Sequence, residues 1–311
     1  MPRSLRDIRR KMKAIKATRQ VTKAMELVAA SKMRKAVMNA QQLRRYTSAS
    51  WDILQRVASL NPDLHFSLQK RPVKNVLAVL FSSDRGLAGS LNSQLFRTAG
   101  HYTRDIKELA TFQSVDFIAV GKKGQQFLAR NGHNVVAAFP AFSNHPSFKD
   151  MRPVIRLISD SFASRQYDHV VLIYTDFVSP LVQEATVKVL LPFSDSTLKE
   201  MMAVGKASQK KNAAKDTPFN PASMHGKQYL LEPSPQEVVD AIIPLITEVQ
   251  VYQALLEAVA SEHSARMVAM RNASDNASDI LDDLTLTYNQ TRQANITSEL
   301  AELSASKAAL D

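Results

Sequence analysis

The sequence predicts an α/β protein: a long antiparallel coiled coil of N- and C-terminal helices with a Rossmann-like α/β central domain. Neither residues 3–61 nor residues 245–311 contain glycine or proline, so nothing in the backbone chemistry forces a helix to stop at either end of the chain. Between these ends, short apolar runs alternate with amphipathic stretches. That alternation is typical of a mostly parallel sheet covered on both faces by helices.

The N-terminal segment, residues 1–61, is predicted to form one coiled-coil helix. Ser4 with Asp7 three residues later makes a passable helix start, and the Asn61-Pro62 pair ends it. At 1.5 Å per residue the helix would be roughly 85 Å long. Its apolar stripe is expected to start with Leu5, Ile8, Met12 and Ile15, to shift phase to Val21, Met25 and Val28, and to continue through small residues such as Ala29, Ala36 and Ala40.

The central segment, residues 73–231, carries the alternating pattern. We predict strands at 76–81, 117–120, 135–139, 170–174 and 187–191, and helices at 94–109, 125–130 and 149–165. Residues 228–231 could add an edge strand. Residues 197–227 are basic, small and without aromatics over much of their length, so they are expected to be a mobile excursion from this domain.

The C-terminal segment, residues 232–311, is predicted to be a second coiled-coil helix of roughly 100 Å. Ser234 can cap its first turn, Pro235 suits the first helical position, and Glu237 can reach back to the Ser234 N–H. We expect a kink or a restart near Pro244. Apolar residues alternately four and three apart predict one coiled-coil stripe, which begins with Val238, Ile242, Leu245, Val249, Tyr252, Leu256 and Val259.

The charge is distributed unevenly along the chain. The formal net charge is +11, residues 1–35 carry a net charge of +10, and residues 275–311 carry −5. A basic arm of this kind suits nucleic acid, anionic lipid or an acidic protein partner, or is simply a solvated helix face. No apolar run approaches the ~20 residues of a membrane span, and the N-terminus does not have the pattern of a secretory signal. With no cysteine, the chain has no disulfide or thiolate metal site.

The candidate catalytic and ligand-binding motifs are weak. Glycines follow the first strand in the stretch 82–92, but the pattern is neither GxGxxG nor a P-loop, and residues 121–124 have the same weakness. Both are interpreted as structural turns. The seven histidines are scattered without metal-ligand spacing. The sequence therefore predicts no active site, no metal and no cofactor.

Several stretches together strongly resemble the gamma subunits of F-type ATP synthases, the central rotor shaft. The matching stretches span the chain at residues 5–10, 22–33, 82–87, 232–235, 265–273, 282–286 and 292–300. The resemblance implies a non-catalytic rotating subunit, present once per complex. Its rotation couples ion flow through a membrane ring of c subunits to ATP synthesis or hydrolysis on an alpha-beta hexamer.

The resemblance also implies partners and contact residues. The paired helices would pass through the alpha-beta hexamer, and the central domain would sit with the epsilon subunit on the c ring. Contacts with the hexamer are expected at Lys23, Met25, Arg266, Gln293, Thr297 and Glu299, and contacts of the foot with epsilon and the ring at Tyr229, Leu231 and Glu232. The resemblance places the subunit on the cytoplasmic face of the bacterial inner membrane, where it touches the membrane only through the complex.

Two alternatives stay open at this point. A basic coiled-coil protein that binds nucleic acid would explain the basic arm, although the arm has no aromatic residue before Tyr46. A small-ligand enzyme that uses the central sheet is the second alternative.

Overall fold

The computed structural model describes residues 5–60, 65–69, 71–142, 146–193 and 234–308, with side chains described outside 44–60, 235, 307 and 308. The helices are α1 (Leu5–Leu60), α2 (Leu91–Lys107), α3 (Lys122–Arg130), α4 (Phe148–Ala163) and α5 (Pro235–Ala308). The strands are β1 (Asn75–Phe81), β2 (Ser114–Val120), β3 (Asn134–Phe139), β4 (His169–Phe177) and β5 (Gln183–Leu191). The expected excursion 197–227 and edge strand 228–231 lie outside the described residues.

The five strands form one sheet in the order β3-β2-β1-β4-β5. The first four are parallel, and β5 returns antiparallel to β4. The chain moves outward from β1 through α2 and α3, and α4 then takes it back across to the other side of β1. Residues of α2 and α3 pack in one apolar cluster of the sheet and residues of α4 in the other, so α4 lies on the opposite face of the sheet from α2 and α3. The predicted mostly parallel sheet is confirmed.

Alternate residues of β1 pack on opposite faces of the sheet, as the period of two in a strand requires. Val76, Ala78 and Leu80 join a cluster with Leu95 of α2 and Leu128 of α3. The other face carries a larger cluster to which α4 and α5 both contribute, together with Leu77, Val79 and Phe81 of β1. A strand buried on both faces reads as a continuous apolar run, which is why β1 was visible in the sequence.

The long helix α5 is buried almost all round in one part of its length. From Ile246 to Ser264 only Glu248, Tyr252 and Ala258 are less than fully buried. The prediction of a single coiled-coil stripe is therefore wrong here. The physical reason is that this part of the helix packs into the larger cluster of the sheet through residues on several of its sides, among them Val251, Ala254 and Ala260.

The buried side of α1 also differs from the prediction. Val21 and Val28 are exposed, whereas Thr22 and Ala29 are buried. The predicted phase shift is wrong because the stripe keeps a seven-residue spacing from Ile15 through Thr22 to Ala29. The Thr22 hydroxyl donates to the Arg19 carbonyl at 3.0 Å, so a polar residue is tolerated on that stripe.

The start of α5 agrees in part with the sequence reading. The Glu237 N–H donates to the Ser234 hydroxyl oxygen at 3.2 Å, so the Ser234 cap is present. The Glu237 carboxylate accepts from the Ser234 hydroxyl at 2.9 Å and not from its backbone N–H. The helix passes through the exposed Pro244 without a break, so the expected restart is absent.

The chain divides into two compact units. One consists of residues 1–31 with 266–311 and contains only helices among its described residues, and the other, residues 32–265, contains the sheet. One described helix, α5, contains a window long and apolar enough to cross a membrane, but 56% of that window is buried inside the protein. A core helix of a soluble domain passes the same test, and the burial of residues 246–264 identifies this one as a core helix.

Candidate functional site: the paired helices and their exposed surface

In the helical unit, residues 5–31 of α1 and residues 266–308 of α5 run antiparallel. The Arg9 guanidinium donates to the Tyr288 hydroxyl at 2.6 Å and lies 5.6 Å from the centre of the Tyr288 ring. Farther along, Lys23 and Leu27 line one groove with Ser274 and Ser278. Residue numbers that rise on one helix while they fall on the other define an antiparallel pair.

The interface of this pair is built largely from small side chains. Thr22 and Ala29 of α1 are buried, as are Ser274 and Ala277 of α5. Ile8 near one end and Met270 near the other are the larger buried residues. Small residues let two helices approach closely, but they bury little apolar area per turn.

Beyond this paired region, no described residue of α1 lies beside α5. Because Arg9 faces Tyr288, the first described residue of α1, Leu5, lies near Arg292, and every residue from Arg292 to Ser306 is exposed. We call 293–306 the tip. It carries an apolar stripe at helical spacing, Ile296, Leu300 and Leu303, with exposed fractions of 49, 60 and 67%. A stripe of this kind on an exposed helix is suited to a partner surface.

A second feature of the helical unit is a groove of about 440 Å³ between the helices. Lys16, Arg19, Gln20, Lys23, Ala24 and Leu27 line one side, and Ser274, Asp275 and Ser278 line the other. We call it the basic groove, because three cationic side chains face a single carboxylate. The Lys23 ammonium lies 2.9 Å from the Glu26 carboxylate, which leaves Lys16 and Arg19 as its more available charges.

In the sheet unit, the glycine-containing loop after β1 looked at first like a phosphate cradle. Instead, atoms of the loop itself accept hydrogen bonds from the first N–H groups of α3. The Asp84 carboxylate accepts from Lys122 N at 2.9 Å, the Ser83 carbonyl from Lys123 N at 3.1 Å, and the Ser82 hydroxyl from Gly124 N at 2.7 Å. The N-terminus of α3 is thus capped from within, which fits the interpretation of both motifs as structural turns.

Doubly wound sheets bind ligands where the strand order reverses, here beyond the carboxyl ends of β1 and β4. In this structure Leu255, Val259 and Glu262 of α5 lie at that position, beside Ser83 and Thr175. The cavity left between them is about 10 Å³, about the space of one water molecule. No nucleotide-sized ligand can enter there.

Among the described residues, no group of three or more His, Asp or Glu side chains is arranged to hold a metal ion. Burial disfavours the charged imidazolium and lowers the pKa of His65, His133 and His169. These rings are therefore neutral at neutral pH. They act as packing groups, as their scattered spacing indicated.

Comparisons with known proteins identify the family. The ATP synthase family model matches residues 4–310. A chain from Roseiflexus castenholzii named ATP synthase gamma chain is 40% identical over 310 residues, covering 99% of this chain and 98% of that one. The chain belongs to the ATP synthase gamma-chain family. The resemblance seen in the sequence is thus confirmed, and the nucleic-acid alternative has no support.

Solved structures agree with the gamma-chain fold. The rotor of the Euglena gracilis mitochondrial ATP synthase in rotational state 1 matches with a TM-score of 0.58 and 18% identity, covering 94% of this chain and 98% of that one. A second structure of that enzyme, described as OSCP/F1/c-ring in rotational state 3, gives a TM-score of 0.60 and 18% identity, with coverage of 98% and 94%. Gamma chains are non-catalytic subunits, so the expectation that this chain is not itself an enzyme is confirmed by its family. It is a subunit of a membrane-associated complex.

The contact residues expected from the gamma-chain resemblance lie at separate levels of the helix pair. Gln293, Thr297 and Glu299 are exposed on the tip, whereas Lys23 is exposed and Met25 half-buried near the basic groove. With Arg9 facing Tyr288, Lys23 lies near residue 274, some 20 residues or roughly 30 Å from Gln293 along the axis.

The remaining expected contacts divide between described and undescribed positions. Arg266 is half-buried at the start of the α5 part of the helical unit. Tyr229, Leu231 and Glu232 lie outside the described residues. Those of the expected contact residues that the structure describes are thus spread along the helix pair and do not form one compact site.

Sequence reasoning missed two features of this surface. The Arg9–Tyr288 contact had no signal, because the register between two distant helices cannot be read from either one. The stripe Ile296, Leu300 and Leu303 did have a signal, since its residues have the four-and-three spacing of a coiled-coil stripe, although they lie two residues out of register with the stripe that ends in the threonines.

Proposed function

We propose that this chain is the rotating central stalk of a membrane ATP synthase, and that its rotation couples ion flow through a c ring to ATP synthesis or hydrolysis on an alpha-beta hexamer. The 40% identity to a named gamma chain supports the subunit type. The similar structures are a rotor in rotational state 1 and an OSCP/F1/c-ring assembly in rotational state 3, which supports the partners and the motion. The observation on this chain that carries the proposal is its exposed and partly apolar tip.

The polar groups near the tip suit a bearing. Thr287, Thr291 and Thr297 donate their hydroxyls to carbonyls one turn back in their own helix, at 2.9, 2.8 and 2.9 Å. The donor capacity of these hydroxyls is thereby used within the helix. Such a surface can slide past surrounding subunits with few fixed polar contacts to break at each step.

The basic end of α1 suits a different contact. Its net charge of +10 over residues 1–35 complements acidic loops on surrounding subunits. Within the proposal, the hexamer contacts Lys23, Met25, Arg266, Gln293, Thr297 and Glu299, and the foot residues Tyr229, Leu231 and Glu232 meet the epsilon subunit and the c ring. No cofactor takes part.

The proposal divides the chain into an N-terminal helix (1–61), a central domain (73–231, with the excursion 197–227) and a C-terminal helix (232–311). It places the subunit on the cytoplasmic face of the bacterial inner membrane, as one copy per complex, held there through its partners.

Reconstitution tests the proposal. The full chain is mixed with separately purified alpha and beta subunits from the same source, and the products are analysed by size exclusion, subunit stoichiometry and ATPase rate. We expect one copy to join each three-to-three hexamer and to change its turnover. A matched variant with Leu300→Gln and Leu303→Gln should join less tightly. Failure of the folded wild-type chain to join any hexamer would contradict the proposal.

A further inference from the structure

The exposed tip and the basic groove are complementary in charge and in apolar content, and both occur on the same molecule. From this complementarity we infer that the unassembled chain forms a two-fold symmetric dimer in which the tip of each copy occupies the basic groove of the other. The inference concerns the free subunit and does not depend on the proposed function.

The tip is acidic as well as apolar. Residues 293–306 contain Glu299 and Glu302 and no lysine or arginine. In an α-helix Leu303 and Leu300 lie seven and four residues from Ile296 and so share its face, while Glu299 lies at the edge of that face. The tip therefore presents an apolar stripe with a negative border along one side.

The groove has the opposite character. Lys16, Lys23 and Leu27 follow one line along α1, seven and four residues apart, with Arg19 beside them. Against these three cations stands Asp275 across the groove, so its lining carries a net positive charge. Leu27 and Ala24 supply an apolar floor, and Leu27 is itself exposed. The groove thus offers a charge opposite to that of the tip and an apolar floor against which the stripe of the tip can pack.

A tip cannot fill the groove of its own chain. Because Arg9 faces Tyr288, Gln20 lies near residue 277 of α5, and Leu300 lies some 23 residues farther on, roughly 35 Å away along the axis. No glycine or proline in residues 245–311 would let α5 fold back on itself. Only another molecule can bring the two surfaces together.

A second copy can make both contacts at once. When two helical units lie side by side in opposite directions, the tip of the first meets the groove of the second. The tip of the second then meets the groove of the first, and the two contacts lie at equal distances from the symmetry axis. Such an isologous arrangement is closed, so it stops at two copies and does not grow into a fibre. The two contacts then reinforce each other.

The dimer should be weak and sensitive to salt. Exposed ion pairs each contribute little and are screened at high ionic strength, and two short helical contacts bury an area at the low end for specific interfaces. The dimer also hides the same tip that assembly would use. Assembly and self-association are therefore in competition for one surface.

Sedimentation equilibrium of the full chain at low and high salt tests the inference, with two charge-reversed variants. Glu299→Lys with Glu302→Lys reverses the tip, and Lys16→Glu with Arg19→Glu reverses the groove. We expect the wild-type chain to dimerise at low salt. Each variant alone should have a dimer dissociation constant at least about tenfold higher, because both contacts in its homodimer bring like charges together.

The equimolar mixture of the two variants is the decisive measurement. In the mixed dimer a positive tip meets a negative groove, and a negative tip meets a positive groove, so a one-to-one dimer should form again. Circular dichroism confirms that both variants are folded. If one is not, the neutral change Lys16→Gln with Arg19→Gln replaces the groove reversal, and Leu300→Gln with Leu303→Gln replaces the tip reversal, each weakening the dimer.

Three results would overturn the inference: a monomeric wild-type chain at low salt, a charge-reversed variant that dimerises as tightly as the wild type, or a mixture that stays monomeric. Binding of the same chains to an alpha-beta hexamer is scored separately. A chain that joins the hexamer but never dimerises refutes the dimer alone, and a chain that dimerises but joins no hexamer refutes the stalk alone.

Discussion

Replacing Asp84 by alanine should destabilise the sheet unit without touching its apolar clusters. The Asp84 carboxylate joins three segments: it lies in the loop after β1 and accepts from Lys122 N at the start of α3 and from Ala141 N after β3, at 2.9 and 3.2 Å. Ala141 is buried, so its N–H has no easy access to water once the carboxylate is removed.

The expected magnitude follows from these two bonds. A hydrogen bond to a charged group contributes about 1.5–3 kcal/mol, and because Asp84 is half-exposed and water can partly replace it, we expect a total loss of about 2 kcal/mol. For a domain of this size each kcal/mol lowers the melting temperature by about 2–4 °C, so Asp84→Ala should melt about 4–8 °C lower. Asp84→Asn keeps an acceptor oxygen and should lose about half as much.

Scanning calorimetry and amide hydrogen exchange check this expectation together. Exchange should speed up at the Lys122 and Ala141 amides in the alanine variant before it changes elsewhere in the sheet. Asp105→Ala, which removes an exposed carboxylate from α2 of the same unit, is the matched control and should leave both readouts unchanged. If Asp84→Ala kept the wild-type melting temperature and the protection of both amides, the bracing role of this carboxylate would be wrong.

Three further predictions address backbone space, coupling and the tip. Gly121 has φ +101°, and a Cβ there would clash with the Ser82 carbonyl oxygen, so Gly121→Ala should lower the free energy of unfolding, measured by thermal unfolding, by at least about 3 kcal/mol. Gly100→Ala, in open space within α2, should instead stabilise by up to about 1 kcal/mol, and equal effects of the two changes would contradict the reasoning. Met25→Lys should lower the number of ions pumped per ATP in the assembled enzyme while Met25→Leu does not, and a normal ratio in the lysine variant would remove Met25 from the coupling contact. Leu300→Gln with Leu303→Gln should leave the free energy of unfolding within about 0.5 kcal/mol of the wild type, because both side chains are exposed. The same variant should lower the ATPase response on reconstitution, and an unchanged response would exclude the stripe from the partner surface.

The strands of the sheet were predictable from the sequence because a strand buried on both faces consists of a short, continuous run of apolar residues. β1, β2 and β4 appear as short runs of Val, Ile, Leu, Phe and Ala, and the structure extends each of them by a few residues at one or both ends. Their order β3-β2-β1-β4-β5 has no such signal in the sequence. Strand order depends on which helix covers which face, and that choice is made by contacts between distant parts of the chain.

The helix stripes were less predictable, for a reason that Thr22 illustrates. Apolarity alone favours Val21 over Thr22 as the buried residue, yet the seven-residue spacing of the pair places the threonine inward. In the same way, α5 from Ile246 to Ser264 carries Gln250, Glu257 and Glu262 among its buried residues, which a search for an apolar stripe reads as solvent positions. The Gln250 side-chain oxygen accepts from the Lys188 ammonium of β5 at 2.9 Å, a partner that the local sequence of α5 does not specify.

The proposed partner surface was also predictable only in part. Its composition, basic on α1 and acidic with an apolar stripe on the tip, could be read from the sequence. The sequence does not show which of these residues are paired and which are exposed. Exposure beyond Arg292 depends on the register of α1 against α5, which is set by contacts such as that of Arg9 with Tyr288.

The uninterrupted backbone of α5 has a mechanical consequence. The segment 246–264 is held on most of its sides by the sheet unit, and no glycine or proline follows it as far as residue 308. About 44 residues, or roughly 66 Å of helix, therefore follow this segment in one continuous helix. A torque applied to such a helix twists every hydrogen-bonded turn by a small angle. The elastic energy is then stored along the whole length of the helix and released when the torque ends. The twisting is then distributed evenly along the helix. One glycine placed after Ser264 would concentrate it at that position.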